Sequence, residues 1–285
     1  MNGKNITTAA GQINSTIVMH KQFQQAYEGI LDLIYLNSLS DVCYGGVVIA
    51  PSGCGKTSLI KLVQQTLTNT PELPNDSMCL SISVGANANI GQLISKLMKQ
   101  LGYQTVVRTS TISEQSALLA TTLKERKVVA IFIDESQHIS RGKRTLSAAA
   151  ITDWIKELRD ASGVVILMMG TREFIPLAES NDQLASRAPA TFSLSEFQCD
   201  ESWSGLLTKI AREVTAFDLS PIIKFSKKLH KVTNGVPRTL KQMLIASVSA
   251  GINAGKTILD ADCLKIGYSS VFGNSHHQGN IFGQE

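Results

Sequence analysis

Between positions 21 and 39 apolar side chains recur at Phe23, Tyr27, Ile30, Leu31, Ile34 and Leu39, a spacing close to that of a helix. The texture then changes. Short runs rich in Val and Ile occupy 46–50, 78–84, 128–134, 163–170 and 191–194. Longer amphipathic stretches at 56–67, 90–101, 146–159 and 173–178 lie between most of them. Strands that are apolar throughout, alternating with helices, predict a parallel sheet covered on both faces, an α/β doubly wound architecture. Beyond Leu194 the strand signal stops, and 201–214, 221–231, 237–251 and 260–266 read as helices. Pro221 and Pro237 stand where first-turn prolines belong. The expected organisation is therefore a flexible polar arm over 1–16, an α/β domain over 17–198, a small all-helical lid over 199–270 and a flexible tail over 271–285.

Composition narrows this picture without redirecting it. A chain of 285 residues that is 43% hydrophobic can bury a sizeable core. The five cysteines are scattered, odd in number and without a C-x-x-C pair, which predicts a reduced intracellular protein rather than a disulfide or zinc scaffold. No apolar signal core opens the chain and no membrane-length apolar run occurs in it, so a cytoplasmic location without a membrane partner is expected. The formal charge of +4 permits contact with nucleic acid but does not argue for it.

The chemistry concentrates first at Ala50-Pro51-Ser52-Gly53-Cys54-Gly55-Lys56-Thr57, which fits G-x-x-x-x-G-K-[ST] except that Ala50 replaces the first glycine. The string lies between a predicted strand and a predicted helix, as a phosphate cradle of backbone N–H groups requires. Ala50 is a small departure, because that position needs little room more than it needs positive φ. Gly53 and Gly55 would let the backbone wrap the phosphates of ATP, with Ser58 in the helix turn that follows. Lys56 would reach the β- and γ-phosphates and Thr57 would hold Mg²⁺. The apolar run 128–133 ends in Asp134-Glu135, the Walker B pattern: Asp134 for the Mg²⁺ shell, Glu135 to orient and polarise the attacking water. A strand at 78–84 lies between the two motifs in sequence, and with the second carboxylate it points to the branch of P-loop ATPases that includes AAA+ and RecA-like proteins. Thr171, after the strand at 164–169, is a candidate for holding the water or γ-phosphate; an ordinary helix N-cap is the alternative. Arg187 is a candidate arginine finger toward a neighbouring subunit's γ-phosphate, and Arg238, at the start of a lid helix, a candidate nucleotide contact; each also reads as a solvated arginine.

These strings resemble the TniB/TnsC transposition ATPases, an AAA+ group related to MuB. The similarity is carried by Asp134-Glu135-Ser136-Gln137-His138-Ile139, by Leu167-Met168-Met169-Gly170-Thr171-Arg172-Glu173, by Asn181-Asp182-Gln183-Leu184-Ala185-Ser186-Arg187 and by Asn234-Gly235, with Leu101-Gly102-Tyr103 also fitting. The resemblance implies a P-loop AAA+ sheet followed by a helical lid. It implies an Mg²⁺-dependent ATPase that assembles as a ring or helical filament of about six or seven subunits per turn. Its implied partners are sequence-nonspecific double-stranded DNA, a transposase and a target-selection factor such as TniQ, with hydrolysis dismantling the assembly. The alternatives are an ExeA-like or helicase-loader-type AAA+ ATPase, and an ATP-gated binding module without turnover; Glu135 argues against the last. The resemblance also places DNA-backbone contacts between the second strand and Walker B, where Lys96, Lys99 and Arg108 are candidates, with Thr109 or Thr111 donating to phosphate. A solvated helix face accounts for the same lysines. A second basic run, with Lys224, Lys227, Lys228, Lys231, Arg238, Lys241 and Lys256 and no acidic residue from 219 to 259, reads as a basic lid surface.

Overall fold

The computed structural model describes residues 2–39, 45–67, 77–86, 88–103, 111–140, 145–175, 190–273 and 281–283. Its elements, in chain order, are α1 (Asn2–Ser15), α2 (Lys21–Leu39), β1 (Gly45–Ile49), α3 (Lys56–Leu67), β2 (Met78–Ser83), α4 (Ile90–Gln100), α5 (Ile112–Glu125), β3 (Val128–Asp134), the short α6 (Gln137–Ser140), α7 (Thr145–Ser162), β4 (Val165–Gly170) and β5 (Ala190–Ser193). They continue with α8 (Glu201–Glu213), α9 (Ser226–Thr233), α10 (Pro237–Asn253) and α11 (Ala261–Phe272). Two compact units result: 21–52 with 56–194, and 1–20 with 53–55 and 195–285.

In the first unit the described strands form a parallel sheet in the order β2-β3-β4-β1-β5. Every residue of β1 and β4 is buried, which is why these segments are continuous apolar runs rather than alternating ones. Leu93 and Leu97 of α4, Leu119 and Leu123 of α5 and Trp154 and Leu158 of α7 pack with Ile131, Ile133, Ile166 and Met168 of the sheet. Each such side chain, fully buried, contributes about 1.5–3 kcal/mol. The Trp154 indole N–H also donates to Ser116 Oγ at 2.9 Å, fixing α7 against α5. On α2, Gly29 has no room for a Cβ, which would stand 2.4 Å from the Phe192 ring of β5.

Two features of this unit differ from the sequence expectation. Helix α5 was not expected; it starts at a capping box in which Thr111 and Glu114 exchange side-chain and backbone hydrogen bonds. Its exposed Leu118 and Ile112 blur the apolar stripe that would have revealed it. The stretch 173–178 opens as a short 3₁₀ turn (Arg172–Phe174), and 176–189 lies outside the described residues.

The second unit corrects the flexible arm. Residues Asn2–Ser15 form α1, and its Ala9 and Ile13, both fully buried, join a core with Trp203, Leu207, Leu240, Met243 and Leu244. The C-terminal carbonyls of α1 are taken by lysines: Lys241 Nζ donates to Asn14 O at 2.9 Å and Thr16 O at 2.6 Å, and Lys209 Nζ to Ile17 O at 2.6 Å. Gln12 bonds Thr215 through both ends of its amide. A polar helix is thus held by two apolar contacts one turn apart and by satisfied terminal carbonyls. The tail is likewise not wholly loose: Phe282 is 5% exposed and its ring packs near Phe225 and Tyr268. Helices α10 and α11 pack closely where Gly267 leaves space for Ser247 Oγ. Among the described residues no helix is long and apolar enough to cross a membrane.

Candidate nucleotide-binding site

Parallel pairing brings the C-terminal ends of β3, β4 and β1 side by side, the edge of an open α/β sheet where ligands bind. At the end of β1, Ala50 N–H donates to Gly170 O at 2.9 Å, and Ala50 is fully buried. Among the described residues only Lys127, Glu135 and Asn234 have positive φ without being glycine, so alanine at 50 carries no left-handed strain. Gly53 and Gly55 do adopt positive φ, +84° and +98°, which a side chain would oppose. Lys56 opens α3 and is 7% exposed, its Nζ donating to Ala50 O at 2.7 Å. Pro51, Gly53, Gly55 and Ser58 are half-buried, Cys54 is buried, and Ser52 and Thr57 present exposed side chains. Gly53 groups with the second unit, where Arg238 N–H donates to its carbonyl at 3.3 Å and Val236 Cγ1 would stand 2.9 Å from an added Cβ.

The acidic turn lies two strands away. Asp134, half-buried at the end of β3, accepts the Glu135 N–H through Oδ1 at 2.8 Å. Glu135 follows at φ +59°, a left-handed conformation that costs a residue with a Cβ roughly 1–2 kcal/mol. The turn is pinned behind it: Ser136 N–H donates to Met169 O at 2.8 Å and Ser136 Oγ to Ile133 O at 2.7 Å, tying β3 to β4. Gln137 Nε2 donates to Glu135 Oε2 at 2.5 Å, and Gln137 Oε1 accepts the Thr171 N–H at 3.2 Å. His138 is bonded through its backbone N–H to Glu135 O, while its ring nitrogen stands 3.9 Å from the same carboxylate oxygen that Gln137 holds.

Thr171 precedes the 3₁₀ turn, but its side chain makes no cap hydrogen bond. Its Oγ1 is buried and has no hydrogen-bond partner among the described residues. A buried hydroxyl left unsatisfied costs about 1–3 kcal/mol, so its place at the strand ends is informative. This orphaned oxygen, the carboxylates of Asp134 and Glu135 and, after the end of β1, Lys56 and Thr57 are a donor and acceptor set that fits a magnesium–triphosphate.

Other predicted positions fall elsewhere. Arg108, Thr109 and Arg187 lie outside the described residues. Lys96 and Lys99 are exposed on α4, but Lys96 Nζ is tied to Ser83 O at 2.5 Å, the carbonyl ending β2. The Thr111 hydroxyl is engaged by Glu114, whose carboxyl is held below its usual range by the Thr111 backbone N–H and hydroxyl. The basic run of the second unit is not one surface: Lys241 is turned inward to α1, its pKa lowered by burial, and Lys256 pairs with Asp260. Asn234-Gly235 is a left-handed helix end, where a Cβ on Gly235 would collide with Phe197 O. Sequence reading gave no role to Ser136, Gln137 or Gly170; only the proximity of a glutamine to the second carboxylate signalled one.

The fold matches solved structures of AAA+ proteins at low identity. An Aeropyrum pernix ORC2 protein, solved as ADPNP–ADP complexes, is 17% identical at a TM-score of 0.69, over 89% of this chain and 68% of that one. An ORC1 protein of the same organism in complex with DNA is 13% identical at a TM-score of 0.67, covering 90% and 67%. Cdc6p from Pyrobaculum aerophilum is 14% identical at a TM-score of 0.62, covering 90% and 68%. These likenesses establish the AAA+ fold. A search of curated protein sequences finds no match. A family model described as bacterial TniB protein matches residues 11–198, more than half of the chain. Through that match the chain belongs to the bacterial TniB family.

Proposed function

We propose that this protein is an Mg²⁺-dependent ATPase that regulates DNA transposition: it binds ATP, assembles on double-stranded DNA and recruits or activates a transposase at the target, hydrolysis then dismantling the assembly. The observation that carries the reading is the convergence of the loop 50–57, Asp134-Glu135 and the unpartnered Thr171 Oγ1 at neighbouring strand ends. Loop amides and Lys56 would take the phosphates, while Thr57 and Asp134 would hold Mg²⁺, which supplies charge neutralisation on the transferred phosphoryl group. Thr171 would hold the γ-phosphate or the water, and Glu135 would polarise that water. Arg238 is read as a nucleotide contact because its own N–H is bonded to Gly53 of the loop. Arg187 keeps its proposed part as a finger toward a neighbouring subunit, by resemblance alone.

The transposition role rests on membership of the TniB family, and DNA binding is supported by a structural neighbour solved with DNA. Lys96 and Lys99 would contact phosphates without reading bases, so affinity would fall with salt and be nearly sequence-blind. TniQ-like selectors remain partners by resemblance. The test is sedimentation with a random-sequence duplex, with and without ATP, on the wild type and on Glu135→Gln. ATP-dependent co-sedimentation that persists in Glu135→Gln after the wild type has released DNA is expected. Absence of ATP-dependent DNA association in either protein would favour a loader-type client instead.

A further inference from the structure

Gln137 sits between the two groups assigned to the γ-phosphate end of the site, and both ends of its side-chain amide are engaged there. Nε2 donates to Glu135 Oε2 at 2.5 Å and Oε1 accepts the Thr171 N–H at 3.2 Å. The orientation of the amide follows from its partners: reversed, its oxygen would face a carboxylate and its NH₂ a backbone N–H, both repulsive. Gln137 is 4% exposed while the Glu135 side chain is 40% exposed, so the amide is fixed from the protein side and loss of either bond leaves a buried polar group unsatisfied. The fold keeps a space for this amide. A Cβ on Gly170 would stand 3.2 Å from Gln137 Oε1 and 2.9 Å from Phe174 Cβ, so only glycine ends β4 without pressing on it.

The backbone and the carboxylate of Glu135 are therefore fixed by different groups. Ser136, through Met169 and Ile133, holds the left-handed turn. The carboxylate is held by an amide whose other end is bonded to Thr171, whose Oγ1 has no partner among the described residues. We propose that Gln137 is a positioning residue for hydrolysis. It aims the Glu135 carboxylate and links that aim to the backbone of Thr171, so that a phosphate bound by Thr171 Oγ1 sets the orientation of Glu135. This rests on the reading of Glu135 as the group that orients water.

The test is single-turnover hydrolysis of radiolabelled ATP with Mg²⁺ and a random-sequence duplex, together with ATP affinity, in the wild type, Glu135→Gln, Gln137→Met, Gln137→Glu and each Gln137 variant combined with Glu135→Gln. Gln137→Met removes both bonds at similar volume. Turnover in the otherwise wild-type chain is expected to fall about 10- to 100-fold with ATP affinity within about twofold, a loss confined to the reacting state. In the Glu135→Gln background the same change should cost less than about twofold, because the carboxylate that Gln137 aims is already lost. Gln137→Glu keeps the acceptor for Thr171 but sets a second carboxylate against Glu135, so it should lose at least as much, and it decides the matter alone if Gln137→Met does not fold. Turnover near wild type in Gln137→Glu, or an equal loss in both backgrounds, overturns the positioning role. Wild-type turnover in Glu135→Gln instead removes the reading of Glu135 itself, and this outcome is distinct from the other two.

Discussion

The glycine loop and the acidic turn both need left-handed backbone, and they obtain it in opposite ways. The loop uses glycine at 53 and 55, where positive φ carries no Cβ penalty and bare amides are what an anion requires. The turn after β3 places Glu135 at φ +59° instead, where the proposed chemistry uses its carboxylate. The strain is offset by neighbours, Ser136 bonded to β4 and β3, and Gln137 bonded to the carboxylate. Where a backbone alone does the work, conformational freedom suffices; where a side chain does it, the surrounding structure must over-determine the conformation.

Three experiments test that contrast, in order of expected effect. Lys56→Ala removes the ammonium from the loop and should weaken ATP binding by at least about 100-fold in calorimetric titration, given the place proposed for the lysine at the β- and γ-phosphates. Binding within a few-fold of wild type would mean that the loop amides alone hold the nucleotide. Gly53→Ala should destabilise the fold by about 1–3 kcal/mol in denaturant melts, since φ +84° and the approach of Val236 both oppose a Cβ. A change under about 0.5 kcal/mol would show that the loop relaxes at small cost. Glu135→Gly should be more stable than Glu135→Ala by about 1 kcal/mol while both lose turnover, because glycine relieves the left-handed penalty. If Glu135→Ala is the more stable of the two, the turn is not strained and the contrast with the loop fails.

Much of the sheet was legible because buried parallel strands announce themselves as unbroken Val, Ile and Met runs, as β1 and β4 do. The loop was legible because its glycines and lysine must follow one another in the chain. Strand order was not: which strand parts β1 from β3 depends on crossover connections that leave no local pattern, and it is β4, late in the chain, that lies between them. The role of Gln137 was hidden for a related reason. Its partner Thr171 is 34 residues away, and only the pairing of β3 with β4 brings them together. Helix α1 escaped notice because two buried apolar residues, Ala9 and Ile13, and a lysine over 200 positions downstream anchor an otherwise polar segment.

That docked first helix bears on how the protein is trimmed for study. The family match begins at residue 11, which invites a boundary there, and such a cut would fall between Ala9 and Ile13. It would strip about two and a half turns from a helix whose remaining stub still carries the buried Ile13 and the Gln12 that bonds Thr215. The shortened chain would then carry an apolar scar beside Leu240 and Leu244, a sticky face that invites spurious self-association in any assembly assay.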